Sequence, residues 1–406
     1  MSIANFRNFL IRYSWLIVSL FLLTGIIGTF NKNNGSTNLY AYQAEAFLRG
    51  DFAIQEKPNK LPGETIDYHG RIYIPFPPFP AVILTPFVAV FGRGDLKMYW
   101  IAFVMAALTC LTLYRILLKF ELDRPTAAWV LAGFALGTGY WQIFRGSEWV
   151  WMFAQITAML FLLLAFYESM CKGRGWLAGL LLGAAFLSRQ LSIYMALFIV
   201  VLLWRNEGKQ NRITNLGWFF AALGFSIALY LGFNYYRFGT FGSGYELMNY
   251  QAFGGPGNFL GERVSEFGVF DPVYFFYNAY HMFIQGYHVE FGGKTMLEVV
   301  GLSRFGVSLL AASPFVIAAF RARMDKWIQW GAWVSVLLTL LTALFYHNNG
   351  YIQYNTQRFS LDFLPVLILL IAWGFNNSSS DLKSYWKGMI VYSIFLNVLT
   401  NLLPVY

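Results

Sequence analysis

The sequence predicts an all-α, polytopic transmembrane protein of about eleven spans with two long extracytoplasmic segments, and three observations carry that prediction. Of 406 residues, 57% are hydrophobic and only 12% are charged, whereas an ordinary soluble domain is about a quarter charged. Mean hydropathy is +0.50. The apolar residues gather into long runs, with the basic residues falling between the runs. A soluble fold has no core large enough to cover that much apolar surface. The net charge of +9 would suit nucleic acid in another context, but cations placed between apolar runs set orientation in a bilayer. Nucleic acid is therefore not an expected partner.

A helix needs about 20 mostly apolar residues to cross the hydrocarbon. Runs of that kind lie near 13–30, 98–118, 126–143, 149–170, 175–188, 191–204, 214–234, 303–320, 327–346, 360–375 and 388–404. The first follows Arg7 and Arg12, lacks a small-residue cleavage site, and reads as a retained helix that also targets the chain to the membrane. The fifth and sixth are short and meet at Ser188, Arg189 and Gln190, so they form either a helical hairpin or one broken helix. Residues 1–406 thus read as a single membrane domain.

Cytoplasmic loops of membrane proteins carry an excess of Lys and Arg. With the N-terminus cytoplasmic, that side receives Arg7 and Arg12; Arg115, Lys119 and Arg124; Lys172 and Arg174; Arg205, Lys209 and Arg212; Arg321, Arg323 and Lys326; and Lys383 with Lys387. The run Phe79 to Phe91 would invert every later loop if it crossed. Being short and opened by prolines, it is expected to lie as an interfacial or re-entrant helix on the outer side. An odd span count then places Tyr406 outside, in what reads as a bacterial inner membrane protein.

The outer face receives segments 31–97 and 235–302, rich in Tyr, Phe and Gly. Long loops of ordered composition are commonly functional. The four histidines, His69, His281, His288 and His347, fall there too, too dispersed for a metal centre. Cys110 and Cys171 lie in or beside apolar runs without ligand spacing and read as packing residues. No phosphate-binding loop, dinucleotide fingerprint or HExxH is present.

Within the first segment, Asn38 to Asp51 reads as an amphipathic helix ended by Gly50, and Pro75 to Pro80 as a rigid extended strap that positions Glu45, Asp51 and Asp67. Charges beside spans are costly unless paired or solvated. Arg145 with Glu148, Arg189, and Arg358 with Asp362 all lie there, either pairing with each other or lining a polar, outward-open cavity. Arginine grips phosphate with a planar fork that stays charged. A carboxylate within hydrogen-bond reach takes a proton from a hydroxyl.

In order along the chain, YAYQAEAFLRGD (40–51), GRIYIPFPPFPAVILTPFVAVFG (70–92), FNYYRFGTFGSGY (233–245), FGVFDPVYFFYNAYH (267–281) and QRFSLDFLPVLILLIAWG (357–374) resemble the C-type (GT-C) glycosyltransferases. These are polytopic enzymes related to the dolichyl-phosphate-mannose protein mannosyltransferases and the lipid A aminoarabinose transferases. The resemblance implies inverting transfer from a polyprenyl-phosphate sugar to a glycan, lipid or protein acceptor, with no cofactor beyond the lipid-linked donor. It also implies an acidic base in the first outer loop and basic residues near the later spans on the lipid phosphate. Where family members often carry an acidic pair after the first span, this chain has Asn33-Asn34-Gly35-Ser36-Thr37-Asn38. The base is accordingly expected at Asp67, next to the strap, ahead of Asp51 and Glu45. Arg358 and Arg189 are expected on the phosphate, Arg145 assisting, with Glu148 and Asp362 orienting them. A transporter or flippase of a lipid-linked sugar, or a non-catalytic subunit of an envelope assembly, are the alternatives these residues leave open.

Overall fold

The computed structural model describes residues 38–55, 64–206, 211–248, 259–302, 305–349 and 357–402. The run near 13–30, the stretch Asn33–Thr37 and Tyr406 lie outside the described residues.

Helix α1 (Leu39–Leu48) starts at Asn38, whose side chain accepts the Tyr40 N–H at 2.9 Å, and is left at Gly50, which takes a φ of +72°. It is buried almost all round, Gln43 included, rather than amphipathic. The reason is that α2 (Phe79–Asp95) packs along it, while the Asn38 amide donates to the Ser147 carbonyl at 3.1 Å. Helix α2 contains Pro86, breaks at Gly92 (φ +72°), buries Pro80, Ala81, Leu84 and Val88, and exposes Val82, Phe87, Val90 and Phe91.

The all-α expectation needs a small correction, because two hairpins form. Strands β1 (Ile66–Tyr68) and β2 (Arg71–Tyr73) pair antiparallel, with Ile66 opposite Tyr73. His69 and Gly70 both take positive φ, 51° and 74°, as the tight hairpin turn matched to strand twist requires. The second hairpin joins β3 (Val289–Gly292) to β4 (Glu298–Leu302).

The remaining elements are helical. They comprise α3 (Met98–Lys119), α4 (Arg124–Gly137), α5 (Tyr140–Arg145), α6 (Val150–Cys171), α7 (Gly175–Phe186), a 3₁₀ turn (Gln190–Tyr194) leading into α8 (Met195–Arg205), and α9 (Arg212–Phe238). After α10 (Phe259–Phe267), α11 (Phe275–Ala279) continues as a π-helical turn (Tyr280–Ile284). Then come α12 (Leu309–Ala312), α13 (Lys326–Leu344), α14 (Leu364–Asn376) and α15 (Ser380–Leu402). Among the described residues, α3, α6, α9 and α13 are each long and apolar enough to cross a bilayer, while α7, Gln190–Arg205 and α14 are shorter apolar helices. The protein is an integral membrane protein.

Several expected spans are interrupted. The run near 303–320 splits at Ser313 (φ −137°) into α12 and a 3₁₀ helix, Pro314–Arg321. Proline lacks the N–H that would carry an α-helix through, and eight residues at about 2.0 Å rise are too short to cross. The run near 126–143 likewise stops at Gly137 and restarts as α5. At Arg189 the backbone is extended (φ −143°, ψ 110°), so the fifth and sixth runs are separate helices.

Helices α6 and α14 are buried on nearly every side and form the centre of the bundle. Against α6 lies α7, which packs on α9 through Gly175, Gly179 and Gly183, four residues apart on one face. A Cβ on Gly179 would sit 2.4 Å from the Phe219 carbonyl oxygen, and one on Gly183 2.0 Å from the Ser226 hydroxyl. Small residues of this kind let membrane helices approach backbone to backbone. Gly179→Val is therefore expected to lower stability by roughly 1–3 kcal/mol through overpacking. Gly217→Ala on α9, where a Cβ meets nothing within 4 Å, is expected to be neutral. Thermal unfolding of both variants in one detergent checks the contrast.

Candidate active site

The helix breaks converge on a cavity of about 220 Å³. Its wall takes Tyr40 from α1, Glu64 from the chain entering β1, Trp151 from α6, Arg189 from the break after α7, Tyr346 from beyond α13, and Arg358 from the 3₁₀ turn (Arg358–Asp362) before α14.

Arg189 and Asp362 form a two-pronged ion pair. Arg189 Nε donates to Asp362 Oδ1 at 2.9 Å, and Nη2 donates to Oδ2. Only 4% of the Asp362 side chain is exposed, so the pair is nearly desolvated and each charge depends on the other. Asp362 therefore pairs across the bundle with Arg189 and not with its neighbour Arg358. The Arg358 guanidinium lies 4.9 Å from the Trp151 ring centroid and 4.8 Å from that of Phe359. Its backbone carbonyl accepts from Gln155 of α6 at 2.9 Å.

Among the described residues, Glu64 is the carboxylate that lines this cavity. Trp151 Nε1 donates to both its oxygens, at 2.6 and 2.5 Å. Burial pushes the Glu64 carboxyl up to about 8, outweighing the Trp151 hydrogen bond and the Arg358 charge, which both act to lower it. His347, also in the wall, is held down at about 4 by burial, against the hydrogen bond that involves the Val269 backbone, so its imidazole is neutral near pH 7.

The sequence-derived acid candidates sit elsewhere. Asp67 is exposed on the outer side of the hairpin, where its carboxylate accepts the Gly70 N–H at 3.1 Å and caps its own turn. Asp51 accepts from the Phe52 and Ala53 backbones at 2.7 and 3.1 Å and from Arg71 at 2.5 Å. Burial raises its carboxyl, but those donors together outweigh it and hold the carboxyl below the usual range. Glu45 faces Arg93 at 3.2 Å and Arg49 at 3.6 Å. None of the three lines the cavity, and neither do Arg145 and Glu148, at and just past the end of α5. Sequence reasoning missed Glu64, although a period-two signal was available. In Glu64-Thr-Ile66-Asp67-Tyr68 ahead of a His-Gly turn, the apolar Ile66 must face inward. That sends Glu64 inward with it and Asp67 out.

The loop bearing Glu64 is tied to the end of α9. Arg237, almost fully buried, donates to the Ile74 carbonyl at 2.5 Å and to Asn234 Oδ1 at 2.7 Å, with its guanidinium 3.8 Å from the Phe233 ring centroid. The Tyr68 hydroxyl donates to the Phe238 carbonyl at 3.1 Å. Among the described residues no group of three His, Cys, Asp or Glu is placed to hold a metal ion.

Residues 76–231 match the sequence profile of the dolichyl-phosphate-mannose-protein mannosyltransferase family. The whole structure is similar to the crystal structure of ArnT from Cupriavidus metallidurans in the apo state, with a TM-score of 0.51 at 14% identity over 92% of this chain. The fold is that of the C-type glycosyltransferases. This chain spans 62% of the length of that ArnT chain. A search of curated proteins returns no match.

Within this fold the Arg189–Asp362 pair should dominate local stability. Asp362→Asn leaves a buried guanidinium without its counter-charge, and a loss of roughly 3–5 kcal/mol is expected. The double variant Arg189→Met/Asp362→Leu should recover much of that loss in the same denaturation series.

Proposed function

We propose that this chain is an inverting membrane glycosyltransferase that moves one sugar from a polyprenyl-phosphate donor to an envelope glycan, lipid or protein. The cavity would open on the extracytoplasmic face of a bacterial inner membrane, with the basic loops inside. One observation carries the reading: a carboxylate, Glu64, meets a guanidinium, Arg358, across Trp151 in the cavity wall. In the proposed reaction the acceptor oxygen attacks the anomeric carbon from the face opposite the phosphate, and its proton passes to Glu64. The bond from the anomeric carbon to the phosphate oxygen breaks, and Arg358 takes up the charge on the leaving phosphate. Arg189, clamped by Asp362, supplies a second cation at fixed position. Glu64 replaces Asp67, Asp51 and Glu45 as the base in this proposal, because those three face a turn or arginines outside the cavity.

A base with a carboxyl near 8 acts close to working pH, where acid–base catalysis is most efficient. It accepts a proton only when ionised, so turnover should rise with pH and level off above about 8. Glu64→Gln should lower turnover about 10²–10⁴-fold and remove that pH limb, whereas Asp67→Asn should leave both intact. Purified protein in detergent with a defined polyprenyl-phosphate sugar and a labelled acceptor provides the assay. Full turnover by Glu64→Gln would remove the proposed base. Unconsumed donor, together with donor movement across liposome membranes, would favour the transporter reading. The same carboxyl makes a stability prediction. Its folded value lies above its unfolded one, so its favourable contribution is complete below about pH 4.5 and fades as pH climbs to about 8. Relative to Glu64→Gln, the melting temperature of the parent protein should therefore fall across that interval and then level off.

A further inference from the structure

The segment between α10 and α12 carries an apolar ridge that the cavity does not use. From Pro272 to Tyr287 the chain contains no Asp, Glu, Lys or Arg. Along α11 and its π-helical turn, Val273, Phe276, Tyr280 and Ile284 follow one another at helical spacing and are exposed, Phe276 at 84% and Ile284 at 70%. The opposite side of this helix is fixed to the protein. Asn278 donates to the Leu344 and Tyr346 carbonyls at 2.7 and 2.9 Å, just past the end of α13. Beyond the helix, the β3–β4 hairpin exposes Phe291, Met296, Leu297 and Val299, with Leu297 at 80%. Met296 adopts a left-handed φ of 56°, uncommon for a residue with a side chain. Gly293 before it takes a φ of +77°, which favours glycine.

In water such a ridge would be an aggregation hazard, so its occupant has to be apolar. The lipid-facing side of α13 identifies that occupant. Trp327, Trp330, Val334, Leu337 and Leu341 are exposed along one face of this membrane-crossing helix, while Ala332, Val336, Thr339 and Ala343 are buried on the other. Where α13 ends, the Phe345 ring meets Phe275 at 6.0 Å between centroids, beside Phe276 of the ridge. The ridge is therefore continuous with the exposed apolar face of a helix long and apolar enough to cross a bilayer, and lies at its end. Aromatic residues concentrate at that level, between hydrocarbon and water.

We propose that the ridge Val273–Ile284 and the tip of the β3–β4 hairpin are immersed in the headgroup and upper acyl region of the bilayer leaflet at that end of α13. The helix is an interfacial anchor that rests on the membrane plane. Phe270, exposed and also part of the cavity wall, precedes the ridge by three residues. The anchor thereby holds one side of the cavity mouth at headgroup depth. This placement is independent of the chemistry proposed above and stands or falls separately from it.

Spin labels on Phe276→Cys, Ile284→Cys and Leu297→Cys, in a Cys110→Ser/Cys171→Ser background reconstituted in phospholipid nanodiscs, test the proposal. The expected result is collision with oxygen favoured over a water-soluble nickel chelate at all three sites, with the ratio reversed at Asp67→Cys, exposed on the first hairpin. Chelate access at 276 and 284 equal to that at 67 would overturn it. Dipolar broadening between labels at 276 would also overturn it, by assigning the ridge to a second copy of the chain. The unmodified protein supplies the second measurement, in case the cysteine-free background fails to fold. A phospholipid with a photoreactive group near its headgroup should label peptides spanning 273–284 and 291–299, and absence of label there would again overturn the proposal.

Discussion

An ion pair between two residues 173 positions apart governs the geometry of the site. A guanidinium among apolar helices is tolerable only beside a carboxylate that satisfies its donors, and Asp362 does this for Arg189 with both oxygens. Neither residue can reach the other from an uninterrupted helix. The break between α7 and α8 and the 3₁₀ turn before α14 bring backbone that is not α-helical from two parts of the chain to one place. Irregular backbone at membrane depth is tolerated only inside protein or against a polar cavity, and both breaks end at the cavity wall. The pair and the helix breaks therefore require each other.

The carboxylates of the first segment have divided tasks. Asp51 and Glu45 neutralise arginines at the surface, and Asp67 satisfies the turn of its own hairpin. Glu64 differs because Trp151 gives it one shared N–H, and its surroundings exclude most water. One N–H shared between two oxygens stabilises a negative charge poorly, which is why burial prevails and the carboxyl is raised. A group in that state has much to gain from a passing proton.

Hydropathy made the membrane class legible, since it follows directly from the cost of putting charge in hydrocarbon. The end points of the apolar runs were less legible. Ser313-Pro314 and Thr138-Gly139 cut apparent spans without lowering their hydropathy, because backbone conformation and not polarity ends those helices. At the site, Arg189 and Arg358 stood out as charges beside apolar runs, and both occupy the cavity wall. Their partners did not stand out. Pairing by nearness in sequence suggested Arg358 with Asp362, whereas a 3₁₀ turn points the two apart and frees Asp362 for Arg189. The carboxylate in the wall, Glu64, stands three residues before Asp67, on the side that the two-residue alternation of the short hairpin turns inward.

Helix α9 has 27 residues, about 40 Å at 1.5 Å per residue, against a hydrocarbon layer of about 30 Å. A helix that long adjusts to its membrane mainly by leaning. Its last turn holds Arg237, which grips Ile74, and Phe238, which receives Tyr68. The hairpin that follows Glu64 is thus fastened to the far end of a lever whose angle is set by its close packing on α7, so a change at that glycine seam would be felt at a carboxylate that lies outside every helix.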